Sequence, residues 1–211
     1  VTTKLKLLLL GATGRVGSHI LDYALKDDHE ITILVRSADK LPHLTDENVR
    51  VLTGNVLDQK HVASAMRGVD AVISALGTDK ATTLSEGTPY IIEAMKREGV
   101  SRIITVGTAG ILQSRVSPDL LRYQSSESRQ KLTRAAEEHH KAYSLLEQSE
   151  LDWTIVCPTY LPDGEYTGTY RVEAHQLPVE GMQISVPDTA EFTYQQLSTS
   201  EYIRARVGIA Y

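Results

Sequence analysis

The chain has 211 residues, of which 41% are hydrophobic and 23% charged, and a formal net charge of −5. That balance suits one α/β domain with a packed core and speaks against a nucleic-acid partner, which needs a basic face. The single cysteine, Cys157, excludes an internal disulfide, and no HExxH or Cys/His spacing points to a metal.

Residues 5–10 are a near-continuous apolar run, as in a strand covered on both faces. The run passes straight into Gly11-Ala12-Thr13-Gly14 without a small-residue cleavage site, so no secretory signal is expected. No stretch approaches the roughly 20 apolar residues of a membrane helix, and a cytoplasmic protein without a membrane partner is the expectation. Residues 15–26 place Val16, Ile20, Leu21, Ala24 and Leu25 at helical spacing. Strands follow at 30–35 and 49–53, a short helix at 59–67, and a strand at 70–75. A helix at 86–98, a strand at 102–106, a long charged helix at 127–148 and a strand at 152–157 complete the alternation. Cys157 ends that last strand and reads as an inert core thiol.

This alternation predicts an α/β fold: a doubly wound parallel sheet of Rossmann type, in the order 3-2-1-4-5-6, with a small C-terminal substrate-pocket region. One domain over residues 1–211 is expected. Segments 109–126 and 158–187 are polar and irregular and follow strand ends, where such sheets bind ligands, so they are the expected pocket walls. Residues 188–211 read as an amphipathic helix and a tail that packs on the sheet or pairs with another chain. A monomer or small homo-oligomer fits.

Three glycines, Gly11, Gly14 and Gly17, recur every third residue between the first strand and the first helix. With Thr13, Arg15 and Val16 they form a turn whose backbone N–H groups and helix N-terminus face an anion. The lysine and Ser/Thr of a P-loop are absent, which disfavours ATP or GTP. The second strand ends Leu34-Val35-Arg36-Ser37. Where an acidic residue would hold a ribose 2′-hydroxyl, Arg36 with Ser37 suits a 2′-phosphate, and Arg15 is a second arginine able to join it. NADP(H) is therefore expected over NAD(H). Asn55 and Val56 are placed beside the adenine, and Leu76, Gly77 and Thr78 beside the cofactor's middle.

These motifs resemble the atypical short-chain dehydrogenase/reductases of the NmrA-like superfamily. The similarity runs through Gly11–Gly17, Leu34-Val35-Arg36, Gly54-Asn55-Val56-Leu57, Leu76-Gly77-Thr78 and Ser85-Glu86-Gly87. It continues through Glu137-Glu138-His139, Leu151-Asp152-Trp153 and Asp163–Tyr170, with its Thr-Gly-Thr-Tyr segment, and is nearest to the NADPH-dependent flavin reductase, or biliverdin-IXβ reductase, branch. The resemblance implies hydride transfer to a planar acceptor such as a flavin, quinone or tetrapyrrole. It places Thr108 where that branch has a serine near the nicotinamide, Pro158 at the cofactor, and Tyr160 where the branch has a histidine. Thr108, Tyr160 and His139 are the candidate catalytic residues. The Tyr-x-x-x-Lys proton donor of the main family is absent: Lys141 follows Glu137 by four residues, the spacing of a helix ion pair. His139 and His140 sit on a charged helix, whose ordinary place is a solvated face.

Two functions compete. One is an NADPH-dependent reductase with a small-molecule acceptor. The other is a catalytically weak NADP(H)-binding redox sensor, which the missing tyrosine favours; an isomerase-type sugar or lignan reaction is a third possibility.

Overall fold

The computed structural model describes residues 3–41, 46–129 and 131–211. Its centre is one eight-stranded sheet in the order β3-β2-β1-β4-β5-β6-β8-β7. The first six strands are β1 (Lys6–Leu10), β2 (Glu30–Val35), β3 (Val49–Thr53), β4 (Ala71–Ser74), β5 (Arg102–Val106) and β6 (Asp152–Pro158). All pair parallel, in the order expected. Alternation along β1 divides the core in two. Leu7 and Leu9 pack with α1 (Arg15–Lys26) and α5 (Val186–Gln195) on one face. Leu8 and Leu10 pack with α2 (Gln59–Met66), α3 (Thr83–Glu98) and α4 (Arg134–Gln148) on the other.

The C-terminal end departs from the expected helix and tail. Helix α5 begins at Val186, capped by Ser185, whose hydroxyl accepts from the Asp188 N–H. The tail is a core strand, β8 (Ala205–Ala210), buried along its whole length and inserted parallel to β6. A further strand, β7 (Arg171–Ala174), lies in the expected pocket segment and pairs antiparallel to β8. Strand β8 contains Arg206 and Gly208, which break the apolar pattern. Gly208 is required because a Cβ there would stand 2.2 Å from the Gln176 carbonyl oxygen. Buried Arg206 donates to the Ile111 carbonyl and lies 4.5 Å over the Tyr143 ring.

Helix α4 starts seven residues later than expected. Glu127, placed in the helix by the sequence pattern, instead accepts from the Arg115 N–H, the Arg122 guanidinium and the Ser125 hydroxyl. These bonds hold the 109–126 segment, which is tied to the other wall by Gln113 N–H donating to the His175 carbonyl at 2.8 Å. Among the described residues no helix is long and apolar enough to cross a membrane.

Candidate functional site

The turn after β1 has the geometry of an anion cradle. Gly11 sits at φ +77°, and a Cβ there would lie 2.5 Å from the Ala75 carbonyl oxygen. Gly17 packs α1 directly on the turn: its Cβ would come within 1.9 Å of the Gly11 oxygen. Gly14 caps α1 and donates its N–H to the Gly11 carbonyl at 3.1 Å. No side chain caps this helix and no acid stands in its first turn. Its N-terminal N–H groups and dipole thus favour a phosphate, and the glycines leave room for the backbone to approach one.

The cradle opens into a cleft across the C-terminal ends of β1, β2 and β4, about 970 Å³ counted to its open mouth. Nine of the expected cofactor residues line it: Gly11, Thr13, Gly14, Arg36, Ser37, Asn55, Val56, Leu76 and Gly77. Asn55 is fixed there by its own turn, its Oδ1 accepting from the Leu57 N–H at 3.0 Å, while its N–H donates to His61 Nδ1 at 3.0 Å. Three lining residues, Lys40, Asp79 and Thr83, escaped the sequence reading. Lys40 adds a second cation beside Arg36, and Asp79 reaches from the loop after β4 to Arg36 at 3.2 Å. Both ends of that pair are solvated, so it holds Arg36 only weakly.

Residues 11–200 match the model of the NAD(P)H-binding family. The chain belongs to that family. This agrees with the resemblance carried by its motifs, and a nicotinamide dinucleotide is the cofactor that the cradle fits.

Some similar proteins match this chain over most of its length and others over less than half of it. The uncharacterized protein YwnB of Bacillus subtilis (strain 168) is 27% identical over 172 residues, 79% of this chain and 78% of that protein. An anaerobillin reductase from Escherichia coli O157:H7 superposes with a TM-score of 0.79 at 26% identity, over 97% of this chain and 96% of that one. A candidate NADH-flavin reductase from Streptococcus pneumoniae TIGR4 gives 0.80 at 25% identity, over 98% and 99%. An isoflavone reductase homolog of Zea mays is 32% identical over 104 residues, and the match spans only 32% of its length.

The remaining expected cofactor residues fall outside the cleft lining. Val16 and Gly17 lie in the first turn of α1 and are buried. Thr78 closes a turn, its carbonyl accepting from the Ala81 N–H, and Pro158 is buried at the end of β6. Arg15, expected to join Arg36, instead donates to the Leu161 carbonyl at 2.9 Å and to Asp163 Oδ1 at 3.0 Å. It ties the glycine turn to the 158–187 wall.

The three candidate catalytic residues are not joined by any hydrogen bond among the described residues. Thr108 is half-buried at the end of β5, ahead of the short turn Ala109–Ile111, and its hydroxyl has no partner there. Tyr160 is 70% exposed, with its backbone bridged to Gln183. His139 is not on a solvated face: it lines a cavity between the sheet and helices α3 and α4. Burial pushes its pKa down to about 4 against the opposing pull of Glu138, so the imidazole is neutral near pH 7.

The neighbouring carboxylates explain the narrower motifs. Lys141 pairs with Glu138 at 3.2 Å rather than with Glu137, which accepts from the Thr133 hydroxyl. Gly87 lets α3 approach Val56, whose Cγ2 would be 3.3 Å from an added Cβ. In the Thr-Gly-Thr-Tyr segment, the Thr167 and Gly168 N–H groups and the Thr167 hydroxyl all donate to Asp188, which is 0% exposed. Tyr211 donates to the same carboxylate at 2.6 Å. Burial alone would raise the Asp188 pKa, but these donors outweigh it and hold the carboxyl below its ordinary range. The segment anchors the pocket wall to α5. Cys157 is fully buried, which pushes its thiol up to about 12 and leaves it inert.

Proposed function

We propose that this chain is an NADPH-dependent reductase that passes a hydride to a planar two-electron acceptor such as a flavin, a quinone or a tetrapyrrole. The reductases among its structural relatives support this reading. The observation that carries it is the site's chemistry: a dinucleotide cradle, with no Tyr-x-x-x-Lys pair on α4 and Lys141 engaged by Glu138. A bound nicotinamide would supply the hydride. The residues of the chain then bind, orient and shield, which is the larger share of the work in such a reaction.

Arg36, Ser37 and Lys40 hold the 2′-phosphate in this reading, and the absence of an acid at the end of β2 favours NADPH over NADH. Thr108 orients the carboxamide or the acceptor. Tyr160, exposed on the 158–187 wall, packs over a bound acceptor. The test is NADPH consumption, followed by absorbance with FMN, riboflavin, quinones and biliverdin, beside NADH. Saturable oxidation that prefers NADPH supports the reductase. Tight NADPH binding without turnover on any acceptor overturns it in favour of a non-catalytic NADP(H)-binding sensor.

A further inference from the structure

The cavity that contains His139 lies directly behind the cofactor cleft. Leu76 and Thr83 line both spaces and form the wall between them. The room inside for water centres is about 30 Å³, enough for about two molecules at roughly 10–15 Å³ each. Most of the lining is apolar, including Ile91, Ile103 and Ile155. Ser74, Thr83, Thr88, Thr105 and His139 interrupt it, and none of these side chains has a hydrogen-bond partner among the described residues. Ser74 and Thr88 are 6% and 8% exposed as residues, yet their hydroxyls are not among the buried side-chain atoms closed to water, so water can reach them. A water needs two to four polar partners, and this cluster of side chains without hydrogen bonds to protein offers them.

We propose that this cavity holds ordered water that feeds a proton to the cofactor cleft, with His139 as the side chain that positions it. The proposal rests on the reductase reading and supplies the proton that a missing tyrosine leaves unassigned. An acceptor takes two electrons and one proton as hydride from NADPH, which leaves as NADP+. The acceptor also takes one further proton, delivered through the water past Thr83 and replaced from solvent. A neutral imidazole offers one N–H donor and one acceptor nitrogen, the inventory a water chain needs at both ends. The groups around it do not compete for that role. Glu138 is held by Ser85 and Lys141, and Tyr143 donates to Glu147 under the Arg206 guanidinium. Helix α3 and β5 present only Thr83, Thr88 and Thr105.

The experiment has two parts on the full chain. In protein labelled with 15N-histidine, magnetisation transfer from water to the His139 ring should reveal a long-lived bound water. No such transfer overturns the proposal and leaves the reductase reading intact. Then single-turnover reduction of FMN by bound NADPH is followed in H2O and D2O. Wild type should slow in D2O. His139→Gln, which keeps a hydrogen-bonding side chain but no relay, should retain the bound water and the NADPH affinity. It should lose roughly a hundredfold or more in rate. His139→Leu should lose both rate and water. A His139→Gln rate equal to wild type, with the same isotope effect, also overturns the relay. Wild type that binds NADPH and shows the bound water but reduces no planar acceptor overturns the reductase reading, and the relay falls with it.

Discussion

Glu138 on α4 accepts from both the N–H and the hydroxyl of Ser85, at 3.2 and 3.1 Å, in the first turn of α3. A carboxylate that is 2% exposed thus caps the positive end of a neighbouring helix. The bond joins two helices that wall the His139 cavity, so a cap interaction also sets the shape of the site.

Glu138→Gln should therefore destabilise the fold by about 1.5–3 kcal/mol at pH 7, the scale of a hydrogen bond to a charged group. Burial raises the pKa of this carboxyl, but Ser85 and Lys141 outweigh it and the net shift is downward from 4.5. A depressed pKa in the folded state means stability that is present above the unfolded value and lost as pH falls through the folded one. Urea unfolding should show wild type weakening below about pH 4.5, with a shallower decline in the variant. Equal slopes would remove Glu138 from the acid response.

Arg36→Glu should weaken NADPH by roughly ten- to a hundredfold, the loss of one charge-assisted contact, and NADH little. Titration of both nucleotides by intrinsic fluorescence checks it. Equal losses would show that Arg36 does not read the 2′ position.

Thr108→Ala should lower turnover by about three- to tenfold, the worth of one hydrogen bond, with little change in NADPH affinity. Steady-state kinetics beside a binding titration separate the two. Unchanged turnover removes Thr108 from the site.

Gly17→Ala should abolish the close packing of α1 on the glycine turn, because the new methyl would overlap the Gly11 carbonyl oxygen. A loss of about 1–3 kcal/mol in stability and of NADPH binding is expected, measured by thermal unfolding with and without nucleotide. Retained binding at wild-type affinity would show that the turn shifts without consequence for the cradle.

The sequence by itself determined the parts whose signal is local. The apolar run of β1, the three glycines behind it and the helical period of α1 lie within about two dozen residues and each constrains the next. Arg36 could be placed at the cofactor because it ends a recognisable strand. Tertiary structure decided what depends on partners far along the chain. Strand β8 is short and carries an arginine and a glycine, so its own pattern resembles a tail; only pairing with β6 and β7 makes it core. Arg15 meets Asp163 across 148 positions, and Glu138 meets Ser85 across 53. His139 looks like a surface residue of a charged helix until α4 is laid against α3 and the sheet. Periodicity reports which face of an element is apolar, but a buried polar side chain is explained only by the groups that the closed fold brings around it.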